Sequence, residues 1–403
     1  MTGLLGIAFL LLVGYLFSSS RKSINWRTVG GAFAIQALIG LFIIYSDVGS
    51  HVLLKITEFV GEVISYSQQG IDFLFGQVGN QSLGFIFAFN VLPVIIFFSS
   101  LIAVLYHLGI MAVVIKFIGG GLQKLLGTSK PESMSAAANI FVGQTEAPLI
   151  IKPFLPKMTR SELFAVMVGG LASIAGSIMA GYAGLGVELK YLLAASFMAA
   201  PGGLLMAKLL EPETKKANDS LTDVKADTEE YANVLDAAAS GAASGMKLAV
   251  NVGAMLLAFI ALIALLNGLL GYLGGLAGYS ELSIQMILGY VFMPVAWLIG
   301  IPLDEAFLAG SFIGQKIVVN EFVAYLDFVN YADSLSAQTQ AIVTFALCGF
   351  ANLSSIAILL GGIGALAPTR RQEIAKLGLK AVFAATLANL MSAALAGVFL
   401  SIG

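Results

Sequence analysis

Two polar stretches interrupt an otherwise apolar chain and carry the side chains best suited to binding chemistry. The first, "NIFVGQTEAPLII" (139–151), places an amide, a hydroxyl, a carboxylate and a proline in close succession. The second combines "NEFVAY" (320–325) with "CGFANLSSIAI" (348–358) and adds a further carboxylate, amides and hydroxyls. An ionised carboxylate at the centre of a bilayer costs at least ~2.5–3.5 kcal/mol. Both stretches therefore indicate polar groups that converge on a wet ligand pocket.

The polar groups of the first stretch suit a planar heterocycle. Gln144 offers both a donor and an acceptor, and Thr145 and Glu146 add acceptors beside it. Gly143 has no side chain, so we expect room next to Gln144 for a larger ring. The pattern favours a nucleobase and a site of broad selectivity, with purines and pyrimidines both open.

The second stretch suits the hydroxyl groups of a sugar. Glu321, Asn352 and Ser355 combine a carboxylate, an amide and a hydroxyl. Asn352 and Ser355 are three residues apart, which predicts that they share one face of a helix. Phe350 precedes them and either packs against a base or simply fills the interior. One group for a base and another for a sugar together predict a nucleoside as the ligand.

Three other interpretations stay open on the residues alone. Glu146 and Glu321 could instead cap half-helices or pair with Lys152 and Lys316. An intramembrane enzyme has little support, because the chain has no His-Glu-x-x-His motif and its candidate serines have no evident base. A passive channel is the third alternative, although a channel has no need for two polar hairpins.

The composition identifies an integral membrane protein. Of 403 residues, 58% are hydrophobic and only 11% are charged, and the mean hydropathy is +0.92. A soluble domain carries about 25% charged residues. The net charge of −2 gives no reason to expect nucleic acid as a partner, so the lipid bilayer and a small solute are the expected partners.

Eight apolar segments are long enough to cross a bilayer, which requires about 20 residues. They are 3–19, 28–46, 85–108, 161–183, 190–209, 245–272, 338–362 and 376–402. With the N-terminus outside, nearly all of the 21 basic residues fall on the cytoplasmic side, in agreement with the positive-inside rule. We therefore expect a multi-pass protein of the cell (inner, or cytoplasmic) membrane with both termini outside.

Two further segments, 131–155 and 302–330, are too polar or too broken for simple spans and begin and end on one side. Such segments are tolerated at membrane depth only where they pack in protein or line a wet cavity, so both are predicted as re-entrant hairpins. Each carries a Gly-Gln pair and a glutamate and precedes a span interrupted by small and hydroxyl residues. Because they start from opposite sides, they predict an inverted repeat, as in secondary transporters.

The predicted fold is therefore an all-α polytopic membrane protein with eight transmembrane helices and two opposed re-entrant hairpins in an inverted repeat. The amphipathic segment 50–80 predicts interfacial helices along the outer surface. The chain divides into a scaffold part with the first three spans (1–130), a transport repeat with hairpin 1 and spans 4 and 5 (131–210), an acidic cytoplasmic linker with span 6 of the scaffold (211–300), and a transport repeat with hairpin 2 and spans 7 and 8 (301–403).

The motifs "GQTEAPLIIKPFLPKMTRSELFAVMVGGLASIAGSIMAGY" (143–182), "NEFVAY" and "CGFANLSSIAI" resemble those of the concentrative nucleoside transporter family, including its bacterial nucleoside permeases. The resemblance covers nearly the whole chain in the same order of segments. It implies a symporter rather than an enzyme, with eight spans, two opposed hairpins and a homotrimer. It also implies that a transport domain moves against a scaffold in each protomer, which imports nucleosides by alternating access.

The resemblance also implies which residues hold the nucleoside. Those facing the base are Gln144, Thr145, Glu146, Ile178 and Phe350, and those holding the ribose are Glu321, Asn352 and Ser355. Ile178 stands where the family varies between small and branched apolar residues.

The same resemblance places a sodium ion between the first hairpin and the interrupted fourth span. The matching positions are Asn139, Val142, Thr145, Ser173 and Ile174. Hydroxyls and unwound carbonyls are the hard oxygen ligands that broken helices supply. Sodium is favoured as the coupling ion because "GQTEAPL" is intact, with protons as the alternative, and no other cofactor is expected.

Overall fold

The computed structural model describes residues 2–79, 84–215, 231–276, 278–279 and 281–402. Within these residues every regular element is helical. Six helices are long and apolar enough to cross a membrane, or up to seven when a sharply bent pair is taken as one span. The chain is therefore an all-helical, multi-pass membrane protein. Of the predicted acidic linker, residues 216–230 lie outside the described residues.

The helices of the first half surround the first polar stretch. They are α1 (Thr2–Leu16), α2 (Trp26–Gly40), α3 (Asp47–Ser65), α4 (Ser67–Phe75), α5 (Phe87–Asn90), α6 (Leu92–His107), α7 (Ile110–Leu126), α8 (Lys130–Ala138), α9 (Ala147–Ile150), α10 (Arg160–Ala172) and α11 (Gly176–Gly184). The helices of the second half are α12 (Leu189–Leu210), α13 (Val234–Leu276), α14 (Ile284–Leu298), α15 (Leu303–Val318), α16 (Glu321–Tyr331), α17 (Ala337–Leu347), α18 (Ser355–Leu366) and α19 (Arg371–Ile402).

The interruptions predicted within two spans are confirmed. The segment 161–183 divides into α10 and α11, which are separated by the break Ser173–Ala175. The segment 338–362 divides into α17 and α18, which are separated by residues 348–354. At each break, the backbone N–H and C=O groups at the two helix ends have no hydrogen-bond partner within their own helices. Both breaks are thus available to bind other parts of the chain or a ligand.

Local capping fixes where the helices around these breaks begin. Thr159 accepts the backbone N–H of Glu162 at 3.1 Å, and the Glu162 carboxylate accepts the N–H of Thr159 at 2.7 Å, which forms a capping box at the start of α10. Asn320 accepts the N–H of Val323 at 2.9 Å and so caps α16. Glu321 is consequently held as the first residue of that helix.

The helices pack as two groups. α2 packs against α12, α1 packs against α19, and α10 packs against both α12 and α19, which form the buried centre. α6 instead packs along α13, where small residues allow close approach: a Cβ at Gly245 would lie 2.7 Å from the Cβ of Ser99. Most of α13 is exposed in the single chain. α11 contacts α6 and thereby joins the groups.

Several elements differ from the sequence-based expectation. The apolar helix α14 was not predicted, because its 15 residues fall short of a full span and include Pro294. α14 and α15 meet at a bend of 118°. The predicted hairpin 302–330 consists of α15 and α16 with a break at Val319–Asn320. α7 occupies most of the interval 109–130 between the third predicted span and the first predicted hairpin. Helices were predicted across 50–80, and α3 and α4 lie within 47–75.

Candidate functional site

The loop after α8 forms the first tip, defined here as residues 139–146. The carboxylate of Glu146 folds back and accepts the backbone N–H of Gly143 at 2.5 Å. A Cβ at Gly143 would lie 2.9 Å from the same carboxylate oxygen. The space beside Gly143 is therefore used by Glu146, and the expectation that it leaves room for a larger base is wrong.

The other polar groups of the first tip face open space or lack a partner. Gln144 is buried, and its Oε1 has no hydrogen-bond partner within the described part of the chain. Its Cβ lies against α10, since a Cβ at Gly170 would be 2.9 Å away. Thr145 and Glu146 are exposed. A free amide acceptor beside an exposed hydroxyl and carboxylate is a suitable set for hydrogen bonds to a polar solute.

The second tip, defined as residues 319–322, holds its carboxylate by two side-chain donors. The Tyr182 hydroxyl donates to one oxygen of Glu321 at 3.0 Å, and the Asn352 amide donates to the other at 2.8 Å. Tyr182 is fully buried in α11. Sequence reasoning missed Tyr182, which lies in the recognised motif "IMAGY" but had no chemical signal of its own. The carboxylate is fixed in orientation and retains acceptor capacity.

Asn352 reaches Glu321 in a way that the sequence did not predict. It lies in the break before α18, where its Oδ1 accepts the N–H of Ser355 at 2.9 Å and the hydroxyl of Ser354 at 2.7 Å. Asn352 and Ser355 therefore do not share a helix face; the asparagine caps the helix on which the serine is the first residue. The two side chains are still adjacent, because capping joins them.

Backbone hydrogen bonds tie each tip to a break in a matching way. The N–H of Gly176 donates to the carbonyl of Phe141 at 3.0 Å, which joins the first tip to the α10–α11 break. The N–H of Leu353 donates to the carbonyl of Ile317 at 3.2 Å, next to the second tip. The two breaks meet directly where the N–H of Phe350 donates to the carbonyl of Ser173 at 3.2 Å.

One cavity lies between the two tips and encloses about 680 Å³ of space, counting its open mouth. All eight residues expected to hold the solute line it, namely Gln144, Thr145, Glu146, Ile178, Glu321, Phe350, Asn352 and Ser355. The cavity is also lined by an apolar wall from α13, which includes Leu248, Val252, Met255 and Leu256. Sequence reasoning missed this wall, since apolar residues of a long span carry no distinguishing pattern.

The residues expected to bind sodium lie together beside the first break. The amide of Asn139 packs against α10: a Cβ at Gly169 would lie 3.4 Å from its Nδ2. Its Oδ1 is buried and, among the residues described, has no hydrogen-bond partner. Ser173 donates its hydroxyl to the carbonyl of Gly169 at 2.9 Å and keeps its lone pairs free for another donor or a cation. Val142 and Ile174 are buried alongside and offer main-chain carbonyls, while Thr145 lines the cavity. An orphaned amide oxygen among hydroxyls and carbonyls fits a hard cation.

Neither carboxylate of the cavity is neutralised by a lysine. No ion pair that joins described residues includes Glu146 or Glu321. Lys152 is exposed, and Lys316 donates instead to the Ala346 carbonyl and to the Asn389 amide oxygen. The alternative in which the glutamates serve only as partners of these lysines is therefore wrong.

Family models match three stretches that together cover most of the chain. The N-terminus model of the Na⁺ dependent nucleoside transporters matches residues 5–78, and the C-terminus model matches residues 191–397. Between them, a gate model described as nucleoside recognition matches residues 88–188. The first tip (139–146) thus lies in the region matched by the gate model, and the second tip (319–322) lies in the region matched by the C-terminus model.

Similar proteins span the whole length. An uncharacterised transporter of Haemophilus influenzae is 57% identical, with 100% of this chain and 98% of the relative covered. The nucleoside permease NupC of Helicobacter pylori is 50% identical, with 98% and 97% covered. The structure of CNTnw in an inward-facing substrate-bound state is 55% identical, covers 100% of this chain and 98% of that one, and has a TM-score of 0.96. A double variant of CNTnw in an outward-facing state matches with a TM-score of 0.97 at 55% identity, with 100% and 99% covered.

Proposed function

The chain belongs to the Na⁺ dependent, concentrative nucleoside transporter family, and from this we propose that it is a sodium-coupled nucleoside symporter. It is a transporter rather than an enzyme, and its fold is that of CNTnw, for which inward-facing and outward-facing structures exist. The observation that carries the proposal is the single cavity into which both polar tips project. The cavity lies beside two broken helices, as expected for alternating access around a central site.

The base of the nucleoside lies against the first tip. Gln144 supplies the unpartnered amide oxygen and its amide N–H groups, and the exposed Thr145 and Glu146 add further hydrogen-bond capacity. Ile178 and Phe350 line the apolar part of the cavity, where a planar ring packs. The polar edge of a base thus forms hydrogen bonds with the first tip, and its apolar faces pack against Ile178 and Phe350.

The ribose lies against the second tip. Glu321 accepts hydrogen bonds from the sugar hydroxyls while Tyr182 and Asn352 keep its carboxylate oriented. Ser355 lines the same end of the cavity and adds a hydroxyl. Hydrogen bonds to charged groups contribute about 1.5–3 kcal/mol each, so Glu321 is the strongest single contact to the sugar.

Sodium binds at the first break and drives uptake. Asn139 and Ser173 offer side-chain oxygens there, Val142 and Ile174 offer carbonyls, and Thr145 joins this set to the base site. One sodium ion moving down a potential of about 100 mV supplies ~2.3 kcal/mol, which corresponds to roughly fiftyfold accumulation. Proton coupling is the second candidate, favoured by the exposed carboxylate of Glu146, which has no ion pair among the described residues.

The architecture that accompanies this function has eight spans and two opposed hairpins. Two hydrogen bonds support an inverted repeat: Gly176 donates to Phe141 of the first tip, and Leu353 donates to Ile317 of α15, just before the second tip. Each break is thus bonded to its own hairpin through a backbone N–H. Both termini lie on the outer side of the inner membrane. A homotrimer is proposed from the family alone.

The moving part comprises the two repeats, 131–210 and 301–403, and the scaffold contains α6 and α13. The scaffold also includes the first three spans, within 1–130, and its helices α2 and α1 pack on α12 and α19 of the moving part. Residues 211–300 keep their assignment as linker and scaffold. The apolar wall of α13 is then the fixed surface past which the two tips move.

Uptake of [³H]uridine into proteoliposomes tests the proposal. An inward sodium gradient should drive accumulation above the outside concentration, and replacing sodium by choline should abolish it. Accumulation that follows a proton gradient instead would favour proton coupling. Equilibration without accumulation would indicate a passive channel, and the absence of any flux would contradict a transporter of nucleosides.

A further inference from the structure

A buried lysine lies where no ligand is expected. Lys316 projects from α15 and is 1% exposed. Its Nζ donates to the carbonyl of Ala346 at 2.8 Å, in the last turn of α17, and to the Oδ1 of Asn389 at 2.6 Å. The C-terminal end of a helix carries a partial negative charge and unpaired carbonyls, both of which favour a cation. Lys316 therefore supplies the hydrogen-bond donors at the end of α17 from the chain itself.

Asn389 connects that lysine to both breaks. It lies on α19, is 2% exposed, and uses its Nδ2 to donate to the carbonyls of Ala172 at 2.7 Å and Cys348 at 2.9 Å. Ala172 is the last residue of α10, and Cys348 follows the last residue of α17. One amide group thus caps the C-terminal ends of two half-helices at once.

Each capped carbonyl is next to a group that the proposed function uses. Ala172 directly precedes Ser173, which belongs to the sodium set, and Cys348 lies two residues before Phe350 of the nucleoside cavity. The N–H of Phe350 donates to the carbonyl of Ser173, so the two breaks are also joined on their other side. Because Asn389 is hydrogen-bonded to both breaks, a shift of either break must change the position of Asn389 or break one of these hydrogen bonds.

Gly349 shows how tightly this cluster is packed. A Cβ at that position would lie 2.5 Å from the Oδ1 of Asn389 and 2.8 Å from the carbonyl of Ala172. Both distances are below those that real Cβ atoms adopt. Glycine is therefore required for the second break to approach Asn389 and the end of α10 so closely.

We infer that the Lys316–Asn389 pair is the positioning element that couples sodium binding at the first break to nucleoside binding at the second. Neither residue touches the nucleoside or the ion. Asn389 holds the two half-helix ends in a fixed relation, and Lys316 holds Asn389 and the end of α17. Sodium that orders the first break thereby pre-organises the second. The coupling must be reciprocal, since nucleoside must strengthen sodium binding by the same factor. This inference rests on the proposed sodium symport.

The test is the sodium factor, defined as the ratio of uridine Kd in choline to uridine Kd in saturating sodium. It is measured by isothermal calorimetry on the purified full-length transporter. Coupling between two sites is typically about 5–150-fold, and the wild-type factor should lie in that range. Asn389→Asp keeps an acceptor for Lys316 and removes the amide donor to both carbonyls, so its factor should fall towards one. Gly349→Ala and Lys316→Met should lower it as well.

A matched control lies one turn away on the same helix. Thr386 donates only to the carbonyl of Val382 in α19, so Thr386→Val should keep the wild-type factor. The reciprocal readout, the sodium Kd with and without uridine, should change by the same ratio in every variant. A structural role alone would lower the thermal stability without changing either ratio.

The outcomes separate the inference from the function on which it rests. A wild-type protein whose uridine Kd is independent of sodium would overturn the sodium symport and the inference together. Sodium-dependent wild-type binding with an unchanged factor in folded Asn389→Asp and Gly349→Ala variants would overturn the inference alone. Failure of all three variants to fold would assign the cluster to stability and would equally overturn it.

Discussion

The two broken spans present the same kind of opening and fill it differently. At the α10–α11 break, the Oδ1 of Asn139 is buried and lacks a partner within the described chain. At the α17–α18 break, the Asn352 amide donates a hydrogen bond to Glu321. Lys316 donates to the Ala346 carbonyl at the end of α17, and the Cys348 carbonyl that follows also accepts a side-chain hydrogen bond. The first break leaves a buried acceptor without a partner among the described residues, whereas the second is completed by an amino group and an amide of the chain.

The difference shows how two broken spans with similar openings are suited to two functions. Unsatisfied buried acceptors are rare and costly, so an orphaned oxygen beside a helix break is expected where a ligand completes it. A break whose polar groups are hydrogen-bonded within the chain can present oriented groups, as Tyr182 and Asn352 orient Glu321. The first break is thus suited to respond to an ion, and the second to recognise the solute.

The largest effect is expected at the second tip. Glu321→Gln removes the charge that accepts hydrogen bonds from Tyr182 and Asn352 and that we propose as the acceptor for the ribose. Uridine uptake should fall about a hundredfold or more, since hydrogen bonds to a charged group contribute about 1.5–3 kcal/mol each. The control Glu188→Gln alters an exposed carboxylate that pairs with Lys190 and should transport normally. Near-normal uptake by Glu321→Gln would refute the ribose assignment.

A second substitution tests the first break. Ser173→Ala removes a hydroxyl from the residues proposed to bind sodium. The sodium concentration for half-maximal uptake should rise about tenfold, because the loss of one ligand costs about 1.4 kcal/mol of binding free energy. Thr145→Ala should act in the same direction. Ser177→Ala, one turn further along α11, is the matched control. If the sodium dependence stays as in the wild type, the ion does not bind at this break.

A third substitution should weaken uridine binding at the second tip without changing the sodium dependence that is assigned to the first break. Tyr182→Phe deletes the hydroxyl that orients Glu321 and leaves the ring packed against Phe322 and Tyr325. Uridine affinity should weaken about tenfold, while half-maximal sodium at saturating uridine should not change. An equal change in both would show that the two breaks are not separable in this way.

The smallest effect is expected far from both breaks, at the end of α12. Burial would raise the pKa of the Glu211 carboxyl, but hydrogen bonds from Lys380 and Arg160 and their charges lower it below its usual value. A lowered pKa stabilises the folded state above the unfolded pKa of about 4.3, and this stabilisation is lost as the pH falls through the folded pKa.

Glu211→Gln should therefore lower the stability at neutral pH by no more than about 1 kcal/mol, because Arg160 is largely exposed. The difference in Tm between wild type and variant should shrink as the pH is lowered towards 4 or below. Uptake of uridine should be unchanged. A loss of sodium dependence in this variant would show that this end of α12 takes part in coupling.

Much of the site was predictable because its residues are conspicuous in an apolar chain. Carboxylates, amides and helix breakers at membrane depth mark both tips, and the interruptions of two spans follow from small and hydroxyl residues. What sequence reasoning missed has no such mark. Tyr182 and the wall of α13 look like ordinary interior residues, and their roles arise only from the contacts of distant helices.

Two errors have a common physical origin. Asn352 and Ser355 were placed on one helix face by their spacing, yet the helix begins at Ser355 and Asn352 caps it. Gly143 was expected to leave room for a base, yet Glu146 occupies that space. In both cases a polar side chain binds nearby backbone, and spacing alone does not distinguish such capping from a continuous helix.

The most direct measurement is the position of the base within the cavity. A crystal of the full-length protein with 5-bromouridine and sodium locates the bromine through its anomalous signal. The account predicts a peak at the end of the cavity formed by Gln144 and Ile178, with the ribose at Glu321 and Asn352. A bromine beside Glu321, or a nucleoside bound outside this cavity, would contradict the claim that the two tips share one solute between base and sugar.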